Sequence, residues 1–149
     1  RKVEGRKDML QFTAVLSCTL FAGAALYINV AEHPARLACG TELAATVFGA
    51  SYRRAAPMQV FLALVATSTG LLSWWVDGRG LWLAGAMVIF AVIPFTLIAI
   101  KPTNRQLLDP GLDRTSTTTR RLLRRWGILH AMRTVLSLTA SCIFLSLVV

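Results

Sequence analysis

Four blocks of this chain, residues 9–31, 58–76, 81–100 and 127–149, run almost without charge. A helix needs about 20 apolar residues to cross a hydrocarbon core of about 30 Å, and each block meets that length. The first three carry no charged residue, and the last holds only His130 and Arg133 as ionisable groups, both near its start. In lipid the backbone must satisfy its own hydrogen bonds, which leaves helices or closed barrels. Barrel strands alternate apolar and polar residues over about 10 positions, so uninterrupted blocks exclude them. The predicted fold is therefore all-α, an integral membrane four-helix antiparallel bundle, and 149 residues leave room for one domain, residues 1–149. A hydrophobic content of 55% and a mean hydropathy of +0.58 agree with that class rather than with a soluble domain.

Arg1, Lys2, Arg6 and Lys7 precede the first block, as basic residues precede a signal peptide. The block is longer than a usual signal core and three more spans follow, so it reads as a true span. Residue 1 is not methionine, which points to processing or to a leader upstream and permits an organellar address such as the mitochondrial inner membrane as well as the plasma membrane. The segment Arg36-Leu37-Ala38-Cys39 is a poor lipoprotein box, because arginine stands where an aliphatic residue belongs. Cys18, Cys39 and Cys142 form no CxxC and no metal spacing, and Cys18 and Cys142 are expected to be buried thiols.

The net charge of +9 sits at span ends. Arg120, Arg121, Arg124 and Arg125 crowd before the fourth span, and Lys101 and Arg105 follow the third, a placement suited to anionic headgroups. A nucleic-acid surface would need aromatics among the basic residues of a soluble face, so no nucleic-acid partner is expected. Four spans put the first and third connections on one side of the membrane and both termini with the second connection on the other. The first side carries Arg36, Arg53, Arg54 and Arg114 besides the six residues above, ten in all, against Arg1, Lys2, Arg6, Lys7 and Arg79 on the second. That bias favours the two-loop side facing the cytoplasm or its organellar equivalent.

Asp77-Gly78-Arg79-Gly80 predicts a tight turn and an antiparallel hairpin between the second and third spans. The first connection is expected over 32–57 with a short interfacial helix at 41–48, and the third, which contains Asp109-Pro110-Gly111 and then Thr115-Ser116-Thr117-Thr118-Thr119, as a mobile loop. Gly23, Ala24, Ala25, Gly85 and Ala86 suit close helix contact in lipid. Pro34 and Pro102 are expected to end helices, and Pro94 to kink one.

Polar residues gather on the two-loop side. Asn29, His33 and Arg36 share one face of the first helix, with Glu32 at its edge, and Trp126, His130, Arg133 and Ser137 share one face of the fourth. Tyr52 and Gln59 bracket the start of the second helix, and Asn104 follows the third. Structural roles exist for each: Trp126 and Tyr52 as an interfacial aromatic belt, Arg36 snorkelling to headgroups, and a Glu32–Arg133 ion pair inside the bundle. The same residues also support chemistry. A neutral histidine can take a proton and an adjacent arginine can hold the resulting anion, or His33, His130 and Glu32 could ligate a metal as two histidines and one carboxylate do.

An ordered set of short motifs spans nearly the whole chain: Asn29-x-x-Glu32-His33-Pro34-Ala35-Arg36, Tyr52-x-x-Ala55-x-x-x-Gln59, Pro94-x-Thr96, Pro102-Thr103-Asn104 and Trp126-x-x-x-His130-x-x-Arg133. It resembles the anthrone-oxygenase-like family of small four-helix membrane proteins. The resemblance implies an oxidoreductase that converts a lipophilic anthrone to an anthraquinone, with molecular oxygen as co-substrate and with a metal or quinone cofactor left open. It implies His130 as the base, with His33 supporting proton removal or binding a metal, and Arg133 or Asn104 holding the oxyanion. Glu32 would complete the catalytic group. Substrate contact would fall to Trp126 and Tyr52 by stacking, and to Gln59, Asn29, Arg36 and Asn104. Two other classes stand beside it: a non-catalytic accessory subunit of a larger respiratory or photosynthetic complex, packed against other membrane-protein subunits, and a small transporter, which one cluster at one face serves poorly.

Overall fold

The computed structural model describes residues 2–149, with side chains from residue 4, so Arg1 and the Lys2 side chain of the charge balance lie outside the described residues. Helix α1 covers Lys2–Tyr27 and passes through a wider π-helical turn, Ile28–Glu32, into α2, His33–Ala38. Helix α3 runs unbroken over Thr41–Asp77. Helix α4, Gly80–Phe95, passes through a second π-helical turn, Thr96–Ile100, into α5, Lys101–Leu107, and α6 is Thr117–Leu145. The composite rods Glu4–Ala38, Thr41–Asp77, Gly80–Leu107 and Thr117–Leu145 are each long and apolar enough to cross a membrane. They form the antiparallel four-helix bundle of a multi-pass membrane protein. In it α1 packs on α3 and α6, and α4 packs on α3 and α6, closing a square.

The interior is built inside-out relative to a soluble bundle. Lipid tails are as apolar as leucine, so close packing of small residues brings the helices together. Ala14, Cys18, Ala25, Ala63, Ala66, Ala86 and Ala140 form much of the central core, whereas Met9, Phe12, Phe61, Trp75, Ile98 and Ile128 face outward. The buried Phe144 ring lies where side chains at two glycines would stand: a Cβ on Gly85 would meet its Cε1 at 2.5 Å, and one on Gly70 its Cζ at 2.8 Å. Gly85 and Ala86 make the close contact expected of them. Gly23 does not, since it faces open space and Ala22 and Ala25 fill that role. Cys18 is buried as expected, but Cys142 is on the outer surface of α6.

The prolines act differently from their sequence reading. Pro34 and Pro102 do not end helices. Each follows a π-helical turn by two residues, and in those turns the N–H of His33 bonds Ile28 O and that of Lys101 bonds Thr96 O. A proline ring collides with the carbonyl four residues back, and one wider turn accommodates the collision without ending the rod. As a result the first connection is only Cys39 and Gly40, where φ is +100° at Gly40. The expected interfacial helix at 41–48 is the start of α3, and Pro57 lies inside that helix, so Tyr52 and Gln59 sit within α3 instead of bracketing its beginning.

The hairpin between α3 and α4 is as expected. Gly78 is left-handed at φ +73° and its N–H bonds Trp74 O, while Asp77 pairs with Lys7 at 2.5 Å, with Arg79 and with the Trp82 indole at 3.0 Å. In the last connection the threonines of 117–119 belong to α6. Ser116 caps them, its hydroxyl accepting from the Thr119 N–H at 3.1 Å, which is the ordinary N-cap arrangement. Before it, Asp113 accepts from the Thr115 hydroxyl at 2.7 Å and from its N–H at 2.9 Å.

Candidate functional site

The two π-helical turns and the upper half of α6 meet at the two-loop end of the bundle. The first of these turns, together with α2, α3, α5 and α6, encloses there a small cavity of about 30 Å³, lined by, among others, Arg36, Phe48, Ser51, Tyr52, Gln59, Asn104, Trp126, His130 and Arg133. Seven of the residues singled out in the sequence therefore share one wall, drawn from every rod but widely separated along the chain. Asn29 stands behind that wall, and Glu32 and His33 lie outside the lining.

His130 is 1% exposed and its ring position is set from behind. The Asn29 Nδ2 donates to the Gly127 carbonyl at 3.1 Å, which settles which end of the amide carries oxygen. The Asn29 Oδ1 then accepts from the Thr134 hydroxyl at 2.5 Å and stands 2.8 Å from His130 Nδ1. An amide oxygen only accepts, so Nδ1 carries the hydrogen and Nε2 of the neutral ring keeps its lone pair. The histidine is held in one tautomer by a residue from another helix, the usual way an imidazole is oriented for proton transfer.

Trp126 joins the two histidines. Its ring centroid is 4.8 Å from that of His130 and 5.1 Å from that of His33, and Phe48 meets it edge-on at 5.3 Å, with Tyr52 stacked on Phe48 at 5.9 Å. At 6% exposure the indole is part of the interior, so the aromatic-belt role does not apply to it. His33 is close to His130 through this tryptophan but does not reach the cavity. Its Nε2 is buried without a protein partner against Gly127, where a Cβ would come within 2.7 Å.

Arg133 does not pair with Glu32. Its Nη2 donates to Gln59 Oε1 at 2.7 Å, and its guanidinium lies over the Phe21 ring at 5.4 Å. Glu32 is engaged nearer the membrane surface, by Arg36 at 2.6 Å one turn along its own rod and by the Ser51 hydroxyl at 3.1 Å. The i,i+4 spacing places Arg36 on Glu32 before any distant cation can compete. Arg36 is accordingly no snorkelling residue: its side chain is 11% exposed and borders the cavity. The trio His33, His130 and Glu32 does not converge as ligands, and among the described residues no three His, Cys, Asp or Glu side chains are grouped to hold a metal ion.

The polar groups left without protein partners are concentrated here. Buried and unpartnered are Arg36 Nε, Gln59 Nε2, Trp126 Nε1, Arg133 Nε and Asn104 Oδ1, all on residues that line the cavity. Each such group costs about 1–3 kcal/mol if left unmade, so a native fold tolerates a cluster of them where a ligand or ordered water completes it. Four of the five are donors. Together with two guanidinium groups and a neutral histidine, they suit a ligand that presents oxygen atoms and acquires negative charge.

Sequence reasoning missed Thr134, Gly127, Phe48 and Ser51. Thr134 is one turn after His130 on the same face, and Phe48 is one turn before Tyr52, so helical spacing would have shown both had α3 been read as one helix. Gly127 carried no such signal, because its role is to be small beside His33 and to offer a carbonyl to Asn29.

Residues 45–143 match the profile of the Anthrone oxygenase family, a stretch that holds Phe48, Tyr52, Gln59, Asn104, Trp126, His130 and Arg133. No curated protein and no solved structure matches the chain. The matched stretch covers well over half of the chain, in the order in which its cavity residues occur, and the chain belongs to the anthrone oxygenase family.

Proposed function

We propose that this chain is a membrane oxygenase of lipophilic ring ketones of the anthrone class, with His130 as the base and Arg133 as the oxyanion holder. The observation that carries the reading is the pairing in one cavity of a tautomer-fixed histidine with a guanidinium whose hydrogen-bonded side chain, among the described residues, is the neutral Gln59. A charged group inside a bilayer costs about 2.5–3.5 kcal/mol on insertion scales and ordinarily finds an anion. Here the anion would be the substrate's.

The chemistry follows from those two groups. An anthrone has a methylene conjugated through its rings to a carbonyl. Nε2 of His130 takes one methylene proton, and the electron pair left behind moves onto the carbonyl oxygen, where Arg133 and the free Gln59 Nε2 stabilise it. The electron-rich carbon then gives electrons to molecular oxygen and a C–O bond forms. Protonation, from the imidazolium, makes a hydroperoxide. Loss of the second C–H proton as the O–O bond breaks yields a new carbonyl and water. The methylene loses four electrons and dioxygen gains four, one oxygen atom entering the quinone and one leaving as water. Trp126, Phe48 and Tyr52 supply the aromatic faces on which a planar ring system would stack.

The test is oxygen uptake and quinone absorbance with 1,8-dihydroxyanthrone in nanodiscs, measured against empty nanodiscs to subtract spontaneous oxidation. Turnover above that background should fall by about 100-fold or more in His130→Ala, the usual contribution of a general base. Equal rates in the variant and the parent, or no excess over empty nanodiscs, would overturn the reading.

A further inference from the structure

A second cavity, of about 140 Å³, opens on the outer surface between α3 and α4. Val60 and Ala63 line it from α3, and Ile93 and Leu97 from the facing rod, with Leu97 inside the π-helical turn. It shares Tyr52, Ala56, Gln59 and Arg133 with the polar cavity, so the two are adjoining chambers separated by those side chains. The outer lips, Val60 and Leu97, are 51% and 56% exposed on a face built for lipid. The hydroxyl of Thr96, the polar side chain at the lip, is occupied by the Val92 carbonyl at 2.7 Å. A molecule in this groove therefore meets apolar surface until it reaches Tyr52, Gln59 and Arg133, where Gln59 Nε2 and Arg133 Nε are buried and unpartnered.

We infer that this groove is the apolar subsite and lateral entrance of the site: a flat, lipid-dissolved molecule slides from the bilayer between α3 and α4, acidic oxygen first, and stops when that oxygen meets Arg133 and Gln59. The inference rests on the proposed function for the identity of the molecule, but binding does not need the reaction. The ligand class is a polycyclic phenol or enol, apolar over most of its surface and acidic at one edge. A water-soluble acid would have no reason to use an apolar door.

The experiment uses the full chain in nanodiscs and the unreactive probe 1,8-dihydroxyanthraquinone, with its dimethyl ether as the oxygen-capped comparison. Val60→Trp and Leu97→Trp place bulk at the two lips on a lipid-facing surface, and Ile98→Trp places the same bulk beside the groove at a residue 77% exposed. Each lip variant should weaken probe binding about ten-fold, a change readily resolved in a titration, and the Ile98 variant should leave it unchanged. The dimethyl ether should bind the parent about five-fold or more weakly than the phenol, since it has no acidic oxygen for Arg133. Unchanged binding in both lip variants, equal weakening in Ile98→Trp, or equal affinity for the two probes would overturn the inference. Thermal unfolding of each variant separates a blocked groove from a damaged fold. Probe binding with this pattern but without anthrone oxidation would sink the proposed reaction and leave the entrance standing; oxidation with unaffected lip variants would do the reverse.

Discussion

Asn29 and His130 are joined across the bundle by a 2.8 Å hydrogen bond whose polarity is set by a third group, the Gly127 carbonyl. The amide cannot turn without setting its oxygen against that carbonyl oxygen, so the imidazole presents its N–H to Asn29 and keeps the lone pair on Nε2. Asn29 is thus a positioning residue that acts through His130.

Asn29→Leu should therefore lower kcat for anthrone oxidation by about 10- to 100-fold, the scale on which outer partners of a reacting group act, while changing KM little. A merely structural asparagine would alter unfolding temperature and both kinetic constants together. Kinetics on Asn29→Leu and on Thr134→Val, which removes only one of the two donors to Oδ1, give the comparison; the threonine variant should retain most of the activity.

Arg133 offers a second discrimination. Were it half of a structural ion pair, Arg133→Met would strand a buried carboxylate and destabilise the fold by about 3–5 kcal/mol. Its hydrogen-bonded partner is neutral, so the variant should lose no more than about 1–3 kcal/mol, the cost of a stranded Gln59 oxygen, and turnover should fall by about 100-fold or more, as on removing an oxyanion donor. A loss on the scale of a broken buried ion pair would show that the guanidinium is structural.

Two glycines hold space for specific rings. Adding a methyl at Gly85 forces it against Phe144, and adding one at Gly127 forces it against His33. Overpacking of this kind costs about 1–3 kcal/mol. Gly85→Ala should be rescued in large part by Phe144→Leu, which removes the opposing ring atoms, and thermal unfolding of the single and double variants tests the coupling. Gly127→Ala should in addition lower activity, because Trp126 and the Asn29 contact move with it.

Asp113, in the connection before α6, is held below the ordinary carboxylate range by the Thr115 hydroxyl and N–H. A depressed folded value means that the contribution is present above the unfolded pKa, about 3.9 for an aspartate, and is lost as pH falls through the folded one. The unfolding temperatures of the parent and of Asp113→Asn should thus differ near pH 6 and converge as pH falls below about 4. A gap that persists at pH 3 would show that the loop depends on shape rather than on charge.

Much of the architecture was legible in the chain. Four uncharged blocks dictated four spans because lipid offers the backbone no other partner, and Asp77-Gly78-Arg79-Gly80 dictated the hairpin because only a left-handed residue closes so short a turn. The cluster of His130, Arg133, Trp126, Tyr52, Gln59 and Asn104 was legible from helical spacing and connectivity, which place them at one end of the bundle. Rod lengths and partners were not. Proline usually ends a helix, and nothing local to Pro34 or Pro102 announces that a π-helical turn will absorb its clash with the preceding carbonyl. Pro57, read in the same way as a boundary, splits α3 into two pieces and loses its contribution of Phe48 and Ser51.

Partner choice depended on distances that spacing along a chain does not encode. Opposite charge alone suggested Glu32 with Arg133; the fold gives Glu32 to the nearer Arg36 and leaves Arg133 with a neutral amide. Likewise two histidines near one end of a bundle suggested a shared role, but packing turns one to the cavity and seals the other against Gly127. The sequence by itself determined the membrane class, the number of spans and the end of the bundle at which most of the polar residues gather. Tertiary structure decided which of them are satisfied by one another and which are left open, because hydrogen bonds are settled within about 3 Å while helical periodicity places a side chain only to a face and a turn.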